Sequence, residues 1–320
     1  MKLRCAVLDD YQGVALSVAD WSGLADTVDV TSFPQHFATE DELVEAIGGC
    51  AVVVAMRERT PFTEQLFARL PELRLLVTSG MRNASFDLAA AERHGVTVCG
   101  TGGASTPTVE LTWALILGLV RQLVPENTAL REGGRWQGSL GADLHGSRLG
   151  LLGLGRIGTQ VARVGQAFGM EELAWSRNLT AERAAEAGAV LAASKEELLE
   201  SSDIVSIHLV LGDRSRGLLG AEELKRMRPS AYLVNTSRAA IVDQAALAEA
   251  LREGWIAGAA VDVFETEPLP DGDPFRSLPN LLATPHLGYV TRGNYRTFYQ
   301  ESVEDVAAFL AGAPIRRLER

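Results

Sequence analysis

Short apolar runs alternate with longer stretches of helical spacing from the start of the chain. Leu3–Leu8, Ala51–Ala55, Leu73–Thr78 and Val96–Cys99 have the length and character of strands, and helical periodicity falls near Glu40–Ile47, Thr63–Leu70 and Phe86–Arg93. Strands that alternate with helices predict parallel pairing through helical crossovers. A long helix is expected from about Thr108 to Glu132, stopped by Gly133-Gly134, because glycine ends a helix at little cost. A second series then begins, with strands at Leu149–Leu152, Glu172–Ser176, Ile204–Ile207, Ala231–Asn235, Ala257–Val261 and Leu281–Thr284. The last helix, Arg292–Leu310, follows the completed second sheet and is expected to return to the first.

The pattern predicts the α/β class, with two doubly wound parallel-sheet (Rossmann-like) domains and a cleft between them. One domain takes residues 1–99 and is completed by 288–320; the other takes 100–287. The chain thus crosses twice, near Gly100 and near Gly288.

Composition narrows the possible partners. The 320 residues are 47% hydrophobic and 22% charged, which suits an ordinary globular protein. A net charge of −11 repels polyanions and anionic membrane surfaces, so neither nucleic acid nor membrane is expected, and an anionic substrate must be met by local arginines. Cys5, Cys50 and Cys99 lie far apart among apolar residues, without metal-ligand spacing, and read as core thiols; no metal site is expected. The N-terminal apolar run is too short for a signal peptide, and the stretch around Leu111–Val120 is about half the roughly 20 residues that span a bilayer. A cytoplasmic protein is expected.

Leu149-Gly150-Leu151-Leu152 runs directly into Gly153-Leu154-Gly155-Arg156-Ile157-Gly158 and then into an amphipathic helix. In such a strand–turn–helix unit the first glycine makes the tight turn. The second lets the backbone approach a pyrophosphate, and the third lets the helix pack closely on its strand. The free N–H groups at the helix start then face the phosphates. An acidic residue roughly 20 positions on would hold the ribose of NAD. This chain has Ser176 and Arg177 there instead, which suit a 2′-phosphate and favour NADP over NAD as cofactor.

Further on come Asn235-Thr236-Ser237-Arg238, Asp262-Val263-Phe264-Glu265-Thr266-Glu267-Pro268 and Thr284-Pro285-His286-Leu287-Gly288, with Glu110-Leu111-Thr112 and Gly146-Ser147-Arg148-Leu149-Gly150 ahead of them. In order and spacing these motifs resemble the D-2-hydroxyacid dehydrogenase family along nearly the whole chain. The resemblance implies hydride transfer between NAD(P)H and a small 2-oxo acid or D-2-hydroxy acid, with Arg238, Glu267 and His286 as the catalytic set. Reduction of a 2-oxo acid needs a cation for the carboxylate, which Arg238 can grip with two parallel hydrogen bonds. It also needs a proton for the carbonyl oxygen, for which His286 is suited, with Glu267 favouring the charged imidazole.

The resemblance further implies that Arg156, Ile157, His208, Thr236 and Asp262 join Gly153, Gly155 and Gly158 at the cofactor, Asp262 at the nicotinamide carboxamide. The first domain becomes the substrate-binding one. There Arg57, just after one strand, and Ser79, Gly80 and Met81, just after another, are candidate substrate contacts, with backbone N–H groups offered to the carboxylate. Tyr289, Ala239 and Val210 depart from the family's common pattern; Tyr289 is expected to enter the pocket and restrict or hydrogen-bond the substrate. The family is commonly a homodimer through the segment around Thr108–Trp136. Alternatives are phosphoglycerate dehydrogenase, although the chain ends soon after its last helix, and a dinucleotide-sensing interaction protein of the corepressor kind. Formate dehydrogenase is disfavoured, since that branch has glutamine where Glu267 stands.

Overall fold

A computed structural model describes residues 2–319, and within them the chain divides into two compact units, residues 2–104 with 291–319 and residues 105–290. Unit 1 carries strands β1 (Leu3–Val7), β2 (Val28–Ser32), β3 (Val52–Ala55), β4 (Leu75–Thr78) and β5 (Thr97–Gly100), and helices α1 (Ala15–Val18), α2 (Glu40–Ile47), α3 (Glu64–Arg69) and α4 (Leu88–Arg93). Unit 2 carries α5 (Thr106–Val120), α6 (Leu123–Arg131), β6 (Arg148–Leu152), α7 (Arg156–Ala167), β7 (Glu171–Trp175), α8 (Ala181–Glu186), β8 (Val190–Leu191), α9 (Lys195–Ser201), β9 (Ile204–Ile207), α10 (Ala221–Arg226), β10 (Tyr232–Asn235), α11 (Gln244–Arg252), β11 (Gly258–Val261) and β12 (Leu281–Ala283). The last helix, α12 (Arg292–Leu310), packs against β4 and β5 of unit 1, and the tail after it adds Leu318 N–H to Val98 O.

Every ladder in both sheets is parallel. Unit 1 is ordered β2-β1-β3-β4-β5 and unit 2 β12-β11-β10-β9-β6-β7-β8. Strand order therefore reverses between β1 and β3 in one unit and between β6 and β9 in the other. Ligands of open α/β sheets sit beyond the carboxyl ends of the strands at such switch points. The strands β3, β4, β9 and β11 are buried along their whole length, which explains why Thr78 and Ser206 are the polar exceptions among their apolar and glycine residues.

The expected helix Thr108–Glu132 is two helices, bent by 63° after Val120. Pro125 accounts for the break: its ring excludes the carbonyl four residues back in a continuous helix, and the chain turns through Gln122 at φ 52°. Strands β2 and β8 escape the sequence pattern, being a half-exposed edge strand and a pair of residues. All three cysteines are buried. Among the described residues no single helix is long and apolar enough to cross a membrane, and no cluster of His, Cys, Asp or Glu has metal-binding geometry.

Glu172, on the β7 face under α7, is buried beside Leu149 and Trp113, against the bare backbone of Gly165, and its Oε1 finds no hydrogen-bond partner among the described residues. Burial pushes its carboxyl up to about 7. The folded chain thus keeps a proton that the unfolded chain releases near roughly 4.3, and stability falls as pH rises through that window. Glu172→Gln is expected to narrow the difference in melting temperature between pH 5 and pH 8.5. A difference as wide as in the parent protein would contradict this reading.

Candidate active site

At the switch point of unit 2, β6 ends in the glycine fingerprint and β9 ends at His208. His208 N–H bonds Leu152 O at 2.8 Å, and Gly153 N–H bonds Trp175 O at 2.9 Å, so the turn is pinned from both neighbouring strands. Gly153 sits at φ 100°, with His208 O 2.8 Å from where a Cβ would be. A Cβ on Gly158 would strike the Gly153 carbonyl, which is why helix α7 can lie so close to its strand. At Gly155 a Cβ would meet nothing within 4 Å. That open cradle, with Arg156 exposed and Ile157 half-buried at the start of a twelve-residue helix, fits a dinucleotide pyrophosphate. His208 lies beneath the turn with Nε2 2.9 Å from Ser206 Oγ, and burial lowers its pKa to about 4, so it is a neutral hydrogen-bonding group at physiological pH. Ser176 is half-buried and Arg177 exposed just past β7.

Arg238 follows β10 on a turn made by Asn235, whose amide donates to Arg238 O at 3.0 Å while its Oδ1 accepts Ser237 N–H at 3.0 Å. The Arg238 guanidinium is half-buried and donates to Ser237 O at 2.8 Å. Glu267 and His286 form a close pair, Oε2 to Nδ1 at 2.7 Å, each 17% exposed. The other Glu267 oxygen accepts Phe264 N–H at 2.9 Å, so the carboxylate is fixed at both ends. Tyr289, buried, packs edge-on to the His286 ring with centroids 5.5 Å apart.

His286 has φ 53°, a left-handed conformation that costs a β-carbon residue energy and persists only when its surroundings impose it. Asp262 does so. Fully buried after β11, it accepts Thr284 Oγ1 at 2.6 Å and Leu287 N–H at 2.7 Å on one oxygen and Gly288 N–H at 2.8 Å on the other. Burial raises its carboxyl pKa, against the pull of these donors.

In unit 1, β3 is followed by Arg57 at φ 52°, its N–H bonded to Ser79 Oγ at 3.0 Å, its O to the Asn83 amide at 2.6 Å and its guanidinium to Ser79 O at 3.3 Å. The guanidinium lies over Gly80, at φ 102°, where a Cβ would collide with it. Gly80 N–H is spent on Thr101 Oγ1 at 3.0 Å, so it is not on offer to a carboxylate as expected; Met81 is exposed. The sequence reading missed Asp9, buried at φ 55° beyond β1. It accepts Thr60 Oγ1 at 2.9 Å and sits 2.8 Å from His36 Nδ1, tying the Arg57 loop to the first strand. The signal was present: an acidic pair, Asp9-Asp10, directly after an apolar strand.

A family model described as "D-isomer specific 2-hydroxyacid dehydrogenase, NAD binding domain" matches residues 113–288. A glyoxylate reductase of Aeropyrum pernix is 43% identical over 256 residues, 77% of this chain and 76% of that protein. The chain belongs to the D-isomer specific 2-hydroxyacid dehydrogenases. A glycerate dehydrogenase of Methylorubrum extorquens is 33% identical over 92% of this chain and 96% of its own length. A solved phosphoglycerate oxidoreductase of Vibrio cholerae superposes with a TM-score of 0.91 at 38% identity, covering 97% of this chain and 100% of that one. The chain is accordingly an NAD(P)-binding dehydrogenase of this family.

The glycine geometry separates two effects. Gly155→Ala is expected to leave the melting temperature unchanged and to weaken dinucleotide binding, read by tryptophan fluorescence, by about tenfold or more, since the pyrophosphate meets the new methyl. Gly158→Ala is expected to lower the melting temperature itself. Equal affinity in Gly155→Ala and the parent protein would remove the pyrophosphate from this turn.

Proposed function

We propose that the protein reduces a small 2-oxo acid of the glyoxylate or hydroxypyruvate type, with Arg238, Glu267 and His286 as its catalytic set. The observation that carries the proposal is the His286–Glu267 pair at 2.7 Å, in the same unit as the glycine fingerprint. Glyoxylate reductase and glycerate dehydrogenase relatives support the substrate class.

In this reading Arg238 grips the substrate carboxylate with parallel hydrogen bonds and so fixes the face of the adjacent carbonyl. A bound reduced dinucleotide supplies the hydride to that carbon. His286 uses Nδ1 to hold Glu267, and the proton on Nε2 passes to the carbonyl oxygen as it becomes an alcohol; solvent restores that proton afterwards. Glu267 keeps the ring in the required tautomer and stabilises its charge. Tyr289, edge-on to the imidazole, limits the bulk of the substrate beside His286. Beyond the carboxyl ends of β3 and β4, Arg57 meets an anionic group, with Ser79, Gly80 and Met81 beside it.

Ser176 and Arg177 favour NADP, since a serine hydroxyl and a guanidinium accommodate a 2′-phosphate that a carboxylate would repel. A homodimer belongs to the same reading: Leu123, Val124, Leu130, Trp136 and Leu140 expose a run of large apolar side chains along and after α6.

A screen of NADPH and NADH against small 2-oxo acids, with and without a phosphate group, tests the proposal. Turnover of glyoxylate or hydroxypyruvate is expected, with a higher kcat/KM for NADPH than for NADH. Arg238→Ala is expected to lower kcat/KM by about 100-fold or more, from loss of a bidentate charged contact and of substrate orientation. An Arg238→Ala enzyme as efficient as its parent would overturn the assignment.

A further inference from the structure

Helix α5 opens unit 2, yet none of its residues has a place in the chemistry described so far. Two of its threonines do touch the catalytic loops. Thr112 Oγ1 lies 2.8 Å from Thr236 Oγ1, on the turn that carries Arg238, and 2.7 Å from the carbonyl of Thr108 one turn earlier. Thr108 Oγ1 in turn donates to Gly288 O at 2.9 Å, in the turn that carries His286.

Counting protons fixes the direction of this chain. A hydroxyl has one proton to give. A carbonyl can only accept, so Thr108 gives its proton to Gly288 O and Thr112 gives its proton to Thr108 O. The remaining contact must then be donated by Thr236 to Thr112. The order is Thr236 to Thr112, Thr112 to the Thr108 carbonyl, and the Thr108 hydroxyl to Gly288, so that Thr108 joins the two ends through its backbone and its side chain. Thr112 is fully buried and Thr236 nearly so, which makes a broken link expensive.

The Gly288 peptide is held from both sides. Its N–H goes to Asp262 and its O to Thr108, and a Cβ there would come within 3.1 Å of the Asp262 carboxylate and 3.5 Å of the Thr108 hydroxyl. Asp262, with the Thr284 N–H bond to Val261 O, fixes the His286 turn against β11. The threonine chain fixes the same turn against the Arg238 loop, 50 residues earlier, through a helix of fifteen residues.

We propose that Thr108 and Thr112 are positioning residues that set the spacing between Arg238 and His286. The proposal rests on the catalytic reading above. Arg238 grips the carboxylate and His286 protonates the neighbouring carbonyl, so the distance between their two turns must match one short substrate. Misplacement by about 1 Å in such an arrangement costs on the order of 100-fold in rate.

Thr108→Val, which keeps shape and removes the hydroxyl, is expected to lower kcat about tenfold, a part of that range. Dinucleotide affinity by fluorescence and melting temperature should stay near those of the parent protein. Thr108→Ser, which restores the donor, should recover most of the lost kcat. Thr112→Val should be costly by itself and add little in the Thr108→Val background, because both break one chain. Undiminished kcat in Thr108→Val, no recovery in Thr108→Ser, or fully additive losses would each overturn the proposal. Arg238→Ala and His286→Ala run alongside: if both retain parental kcat/KM, the catalytic reading has failed. If both are crippled and Thr108→Val is not, the positioning proposal alone has failed.

Discussion

The arrangement in unit 2 depends on one buried carboxylate. Asp262 has no exposed surface and accepts three hydrogen bonds from the segment Thr284–Gly288. An ionised group in such a place is costly unless its partners are complete. Here the partners are two backbone N–H groups and one hydroxyl, all from the turn that forces His286 into a left-handed conformation. The three hydrogen bonds thus offset both the strain at His286 and the burial of Asp262. The imidazole is directed at Glu267 by backbone geometry as well as by the attraction between the two side chains.

A similar economy appears in unit 1. Asp9, also at positive φ and also buried, holds Thr60 and His36, and through Thr60 the loop that carries Arg57. Each sheet therefore has a carboxylate beyond the carboxyl end of a strand that orders a strained loop. In unit 1 it lies at the reversal of strand order, where β1 and β3 part. In unit 2 the reversal lies between β6 and β9 and is occupied by the glycine turn, while Asp262 works two strands away on β11.

Much of this was legible in the sequence, for physical reasons. Fully buried parallel strands such as Val52–Ala55 and Leu75–Val77 must be apolar, and Gly153 and Gly158 admit no side chain where backbone meets backbone. What escaped depended on tertiary context. Thr108 and Thr112 look like ordinary helix residues, because their partners are 180 and 124 positions away. His36 gave no local sign of its bond to Asp9, 27 residues earlier. The break at Gln122 was signalled by Pro125, but the strong apolar character of α5 before it masked it. Asp262 stood out as a cofactor candidate, but its three hydrogen bonds to the Thr284–Gly288 segment, more than 20 residues on, had no local sign.

The central claim is that hydride reaches the carbonyl carbon of a 2-oxo acid on one fixed face, set by Arg238 and His286. Turnover with a reduced dinucleotide carrying deuterium at the transferable position of the nicotinamide, followed by mass and chiral analysis of the hydroxy acid, measures this directly. With hydroxypyruvate as substrate, one deuterium at carbon 2 and a single D configuration are predicted. Product without deuterium at that carbon, or a racemic product, would contradict the account.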